Sequence, residues 1–139
     1  MSDAITVPKA ELHCHIEGAA PPTLVKRLAD KRGEDVSTVL DGNGKYIWSD
    51  FTAFLKAYDV ASSVFRTPAD YALLAETYFR MLAAEGAIYG EIFISPDHAQ
   101  AAGLSYRSYV EGLAAGIEKS QMQASGRRDV DDVVCHFVP

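Results

Sequence analysis

His13 and His15 stand one residue apart in the run Pro8-Lys9-Ala10-Glu11-Leu12-His13-Cys14-His15-Ile16-Glu17-Gly18. In an extended strand, Glu11, His13 and His15 share one face, and Leu12, Cys14 and Ile16 share the other. Two imidazoles at i and i+2 start about 7 Å apart at the backbone. That lets both converge on one ion at about 2.0–2.1 Å per Zn–N bond. The pair is a candidate metal-ligand pair, and Gly18 frees the chain to turn beyond it. Taken alone, two histidines two apart are more often a solvated strand face. His15-Ile16-Glu17 also reads as the H-x-E half of a zinc site that needs a P-C-x-x-C segment further on. Cys14 and Cys135 are the chain's two cysteines and lie too far apart to supply one, so that site is rejected.

The elements that must position this pair follow from pattern. Residues 9–16 read as a first strand. Pro21 and Pro22 open a helix carrying Leu24, Val25, Leu28 and Ala29, which Gly33 stops. A further helical turn is expected over Asp35 to Leu40, and Asp41-Gly42-Asn43-Gly44 is a loop. Asp50 caps a second helix with Phe51, Phe54, Leu55 and Tyr58 on one face, and residues 60–66 are expected to continue it. Thr67-Pro68-Ala69-Asp70 signals another start. That helix bears Tyr71, Leu74, Tyr78, Met81 and Leu82 and ends at Gly86. Residues 87–94 read as a buried second strand, with Ser95-Pro96-Asp97-His98 as its exit loop. A third strong helix from Ser105 to about Gln123 puts Tyr106, Tyr109, Val110, Leu113 and Ile117 on one stripe. Asp132 to Val138 is a candidate third strand. Strands alternating with helices argue for an α/β fold with a parallel sheet. The alternation does not separate an open sheet from a barrel.

The 139 residues amount to one domain, with 48% hydrophobic and 23% charged residues, as in an ordinary soluble chain. The net charge of −6 comes with no basic patch for nucleic acid and no basic amphipathic helix for a membrane surface. Two cysteines make no disulfide framework. With no signal peptide and no long apolar run, the expected location is cytoplasmic.

The opening run resembles the start of the adenosine deaminase family of zinc-dependent purine deaminases, almost residue for residue. So do Asp50-Phe51-Thr52-Ala53-Phe54-Leu55-Lys56-Ala57-Tyr58-Asp59 and Gly90-Glu91-Ile92-Phe93-Ile94-Ser95-Pro96. The resemblance runs from about Pro8 to about Gln123. It implies the N-terminal portion of a (β/α)8 TIM barrel, about strands 1–3 with their helices. It makes His13 and His15 two ligands of one Zn2+, at the carboxyl end of a barrel strand. It puts His15 and Glu17 against the substrate, with Glu17 toward the ribose end, where the family often has Asp. Glu there also occurs in relatives acting on free adenine. Phe51, Phe54, Leu55 and Tyr58 match an apolar gate over the purine, and equally a plain core stripe. Glu91 is expected to be a buried hydrogen-bonding residue. His98 and His136 are read as structural or exposed.

The activity implied is hydrolytic deamination of adenosine to inosine and ammonia, with adenine deaminase as the alternative. The partner is a small purine nucleoside or base. The family's third histidine ligand, its aspartate ligand and its proton-transferring groups have no counterpart in these residues. A whole barrel takes about 250 residues, so the chain is expected to be an incomplete, inactive fragment with no catalytic residue of its own. A non-catalytic binding or assembly fragment on the same scaffold is the reading of another class. Three strands leave sheet edges open, so self-association is expected. Metal-dependent hydrolases of other branches also carry H-x-H on a first strand but lack the gate stretch. The tail, 127–139, departs from the family. Its segment Arg127-Arg128-Asp129-Val130-Asp131-Asp132 holds five charges in six residues, which does not start a buried strand. An altered reading frame near Gly126 would produce such a tail.

Overall fold

The computed structural model describes residues 7–124 and 134–138. Strand β1 (Lys9–His15) passes through a 3-10 turn (Ile16–Ala19) into helix α1 (Pro22–Arg32). Helices α2 (Phe51–Ser63) and α3 (Pro68–Ala84) lead to strand β2 (Ala87–Phe93). Helices α4 (Pro96–Ala101) and α5 (Tyr106–Ala124) precede strand β3 (Val134–Val138). The three strands form one parallel sheet in the order β1-β2-β3. Each strand pairs with its predecessor in sequence, as in a barrel wall, and the order shows no reversal of the doubly wound kind.

Parallel pairing needs helical crossovers, and the sequence caps them well. Asp50 accepts from the Ala53 N–H at 2.8 Å and so starts α2. Thr67 and Asp70 form a reciprocal capping box around Pro68 at the head of α3. One face of α3 then buries Tyr71, Leu74, Ala75, Tyr78, Phe79 and Leu82, the spacing of a helix lying on a sheet. Tyr109, Leu113 and Ile117 of α5 close the same core. Helices α3 and α5 meet almost backbone to backbone. A Cβ on Gly116 would lie 2.0 Å from the Ala72 carbonyl oxygen, and one on Gly112 would lie 2.5 Å from that of Pro68.

Several expectations shift. Strand β1 stops at His15, and Ile16 begins the 3-10 turn. Helix α2 ends at Ser63, with Val64 at its cap, so 64–66 do not continue it. The expected exit loop after β2 becomes the short helix α4, because Ser95-Pro96 is a start signal. Met81 is 43% exposed and Tyr106 is 51% exposed, so neither joins its core stripe. Tyr106 opens α5 and Met81 sits in the last turn of α3. The third strand runs parallel to β2 from Tyr89↔Val134 to Phe93↔Val138. The charged stretch before it, 127–132, lies outside the described residues.

Asp70 ties three segments together. Its carboxylate accepts from the backbone of Arg66 and Thr67 and pairs with Arg32 at the end of α1. Burial pushes this carboxyl up, but those hydrogen bonds and the Arg32 guanidinium together hold it below its ordinary value. Asp70→Ala is expected to cost about 2 kcal/mol in chemical denaturation. Because the folded-state value is depressed, the native advantage is present above about pH 4 and is lost as pH falls through the folded value. Gly116→Ala is expected to cost about 3 kcal/mol in the same measurement, because backbone rather than a flexible side chain blocks the new Cβ.

Candidate active site

The strict alternation expected of β1 is broken. Pairing jumps from Glu11↔Gly90 to Cys14↔Ile92, which inserts one extra residue into β1. His13 takes a φ of 61°, the one non-glycine residue with positive φ among those described. Leu12, expected to share a face with Cys14 and Ile16, is 58% exposed, while Ile16 is fully buried. The bulge nevertheless brings the two imidazoles together. The His13 and His15 ring centres are 5.5 Å apart. Phe93 of β2 stacks on His13 at 3.9 Å and tilts against His15 at 5.5 Å. A tetrahedral ion at about 2.0–2.1 Å from each ring nitrogen would put two ring centres about 5 Å apart. The pair therefore fits two positions of a metal site. Among the described residues no group of three His, Cys, Asp or Glu comes together to hold an ion.

Two residues beyond His15 the 3-10 turn carries the Glu17 side chain inward, where it is 1% exposed. Its Oε1 accepts from the Tyr109 hydroxyl of α5, and its Oε2 is buried with no hydrogen-bond partner among the described residues. Burial pushes the Glu17 carboxyl above its ordinary value, and the hydrogen bond from Tyr109 holds it back. Glu17, Gly18, Tyr46, Trp48, Phe54 and Tyr58 line a pocket of about 60 Å³. The Tyr58 phenol is pushed up to about 12, first by burial and then by the charge of Glu17.

The apolar face of α2 is not a core stripe. The buried residues of that helix are Ala57, Ala61 and Ser62. Phe51 is 72% exposed, Phe54 and Leu55 are exposed, and Tyr58 is half-buried. Phe54 and Tyr58 reach the pocket; Phe51 stacks on Phe54 beside it, and Leu55 does not line it. Sequence reasoning passed over Tyr46 and Trp48. They arrive on a turn closed by the Leu40↔Tyr46 bridge, and the Tyr46 hydroxyl donates to the Ala20 carbonyl at 2.8 Å. The Asp41-Gly42-Asn43-Gly44 loop was the available signal, because a tight turn returns the next residues toward the preceding segment. His98 is half-buried. It contacts Asp59 of α2 at 3.2 Å, with its ring 5.9 Å from Tyr58. Glu91 accepts from the Tyr89 hydroxyl at 2.6 Å, but it is half-buried and not buried as expected.

Two adjacent imidazoles and a buried carboxyl at the carboxyl end of a strand invite comparison with known proteins. The family model described as adenosine deaminase matches residues 8–131. The chain belongs to the adenosine deaminase family. A curated adenine deaminase from Chelativorans sp. (strain BNC1) is 58% identical over 133 residues, covering 94% of this chain and 40% of the relative. The crystal structure of an adenine deaminase from Arthrobacter aurescens superposes with a TM-score of 0.71 at 24% identity, over 92% of this chain and 38% of that one. An amidohydrolase from Burkholderia ambifaria with bound Zn superposes with a TM-score of 0.77 at 19% identity, over 100% of this chain and 38% of that one. The fold is therefore part of a TIM barrel. The chain spans about 40% of the length of the curated relative it matches over its greatest extent.

One contact shapes the pocket directly. A Cβ on Gly18 would lie 2.9 Å from the Tyr58 ring. Gly18→Ala is expected to push Tyr58 out of the pocket and cost about 1–3 kcal/mol. Gly42→Ala, with nothing within 4 Å, should change nothing. Denaturant unfolding and a crystal structure of each variant check the pair.

Proposed function

We propose that this chain supplies the first three strands and the purine-recognition wall of a metal-dependent adenine deaminase. This reverses the order of substrates expected from sequence, where adenosine came first. What supports the reversal is that the curated relatives at 50–58% identity carry the name adenine deaminase. The observation that carries the reading is Glu17. Its uncommitted Oε2 can accept one N–H from the five-membered ring of a purine. Free adenine has such an N–H. In adenosine the corresponding nitrogen bears the sugar.

The reaction proposed is hydrolysis: water adds at the amino-bearing carbon and ammonia leaves. His13 and His15 would hold two positions of a divalent metal, most simply zinc. When bound, such a metal supplies a nucleophile by lowering the pKa of water toward about 7. Phe93 keeps both imidazoles from turning away, since it packs against both rings. His15 also borders the substrate, between the metal and Glu17. Phe54 and Tyr58 of α2, with Phe51 stacked on Phe54, act as a gate that keeps bulk water from the purine. A catalytic metal usually needs three protein ligands, so the third ligand and the acid–base groups belong to strands beyond these.

Ultraviolet assay of the complete barrel carrying this segment tests the reading. Adenine should be preferred over adenosine by about 10²-fold or more in kcat/KM. Equal or reversed preference would overturn it. His13→Ala or His15→Ala should abolish turnover and lower metal content by elemental analysis. Full activity after chelation and dialysis would remove the metal role.

A further inference from the structure

Tyr109 lies 92 residues from Glu17 in sequence, on a different element, yet the two side chains are joined in a buried hydrogen bond. Tyr109 is fully buried, and its ring meets Tyr71 edge-on at 4.7 Å and 89°. Its hydroxyl oxygen accepts from the Ser95 N–H at 3.2 Å. A hydroxyl has one proton to give while its oxygen accepts. That proton is directed at Glu17 Oε1. The hydrogen bonds run in one direction, from Ser95 N–H through Tyr109 O–H to the carboxyl, and each polarises the next.

A carboxyl held in this way has one oxygen committed and one open. Burying it half-satisfied costs free energy that packing alone would not require. We infer that Tyr109 is a positioning residue for base recognition: its hydroxyl fixes the rotation of the Glu17 carboxyl so that Oε2 meets the N–H of a free purine's five-membered ring. The assignment rests on the adenine reading above. Tyr109 itself touches no substrate, because it stands behind Glu17 and is not among the residues that line the pocket. Without the hydroxyl the carboxyl can rotate and spread its two oxygens over other orientations. Binding of the base then weakens, while the chemical step at the far side of the purine is unchanged.

The test uses the complete barrel with Tyr109→Phe, which keeps the ring on Tyr71 and removes one oxygen. Steady-state kinetics on adenine should show KM raised about tenfold with kcat essentially unchanged, the loss of one hydrogen bond's worth of ordering. In a Glu17→Gln background the same substitution should change KM by less than about twofold, since the group being positioned is altered. Thermal unfolding of each variant separates packing from positioning. A lowered melting temperature with KM unchanged would overturn the assignment, as would additive effects in the double variant. If the native protein deaminates adenosine and not adenine, the substrate reading fails. The same cycle measured with adenosine then decides the Tyr109 assignment.

Discussion

The extra residue in β1 is the constraint on which the candidate site depends. Before the bulge, Glu11 pairs with Gly90; after it, Cys14 and His15 pair with Ile92 and Phe93. A regular strand would have carried the two histidines out on a flat face, separated by the full pleat. With one residue bulged, His13 adopts a left-handed backbone and its ring folds over Phe93 beside His15. Such a conformation is unfavourable for a residue with a Cβ and persists where surrounding pairing over-determines it. Here the parallel ladder resumes immediately beyond the bulge, and Ile16, buried to the last atom, pins the exit.

From that exit the chain turns once and delivers Glu17 to the interior. Three tyrosines from three helices surround it: Tyr58 from α2, Tyr71 from α3 and Tyr109 from α5. Each phenol is raised above its ordinary value by burial, with the nearby Glu17 charge adding to the shift. Of the three hydroxyls, that of Tyr109 donates to the carboxyl.

Much of this was legible before any coordinates. The capping residues Asp50, Thr67 and Asp70 name their helices because their side chains satisfy orphan N–H groups at fixed offsets. The strands after Gly86 and after the third helix are legible for a similar local reason. The bulge was not legible, because alternation assumes a regular ladder and the ladder's register is set by a partner 78 residues or more away. The face of α2 was ambiguous for the opposite reason. Aromatics at helical spacing mark an apolar face and say nothing about what covers it. The structure shows that the covered residues are the small ones, Ala57 and Ala61, and that the large ones stand outward. Tyr109 read as core, which it is; its hydroxyl contact with Glu17 depends on how two distant segments meet.

The two side-chain-free positions on α5 carry a consequence beyond close packing. Gly112 lies three residues past Tyr109 on the same helix, and Gly116 four further on, and both let α5 rest on the backbone of α3 at Pro68 and Ala72. The depth at which the Tyr109 hydroxyl sits is therefore gauged by the spacing of two helices at their rear contact. A methyl added there acts as a shim, lifting α5 and drawing the hydroxyl back from Glu17. The Tyr109–Glu17 contact is thus calibrated from outside the pocket, by residues that own no functional group.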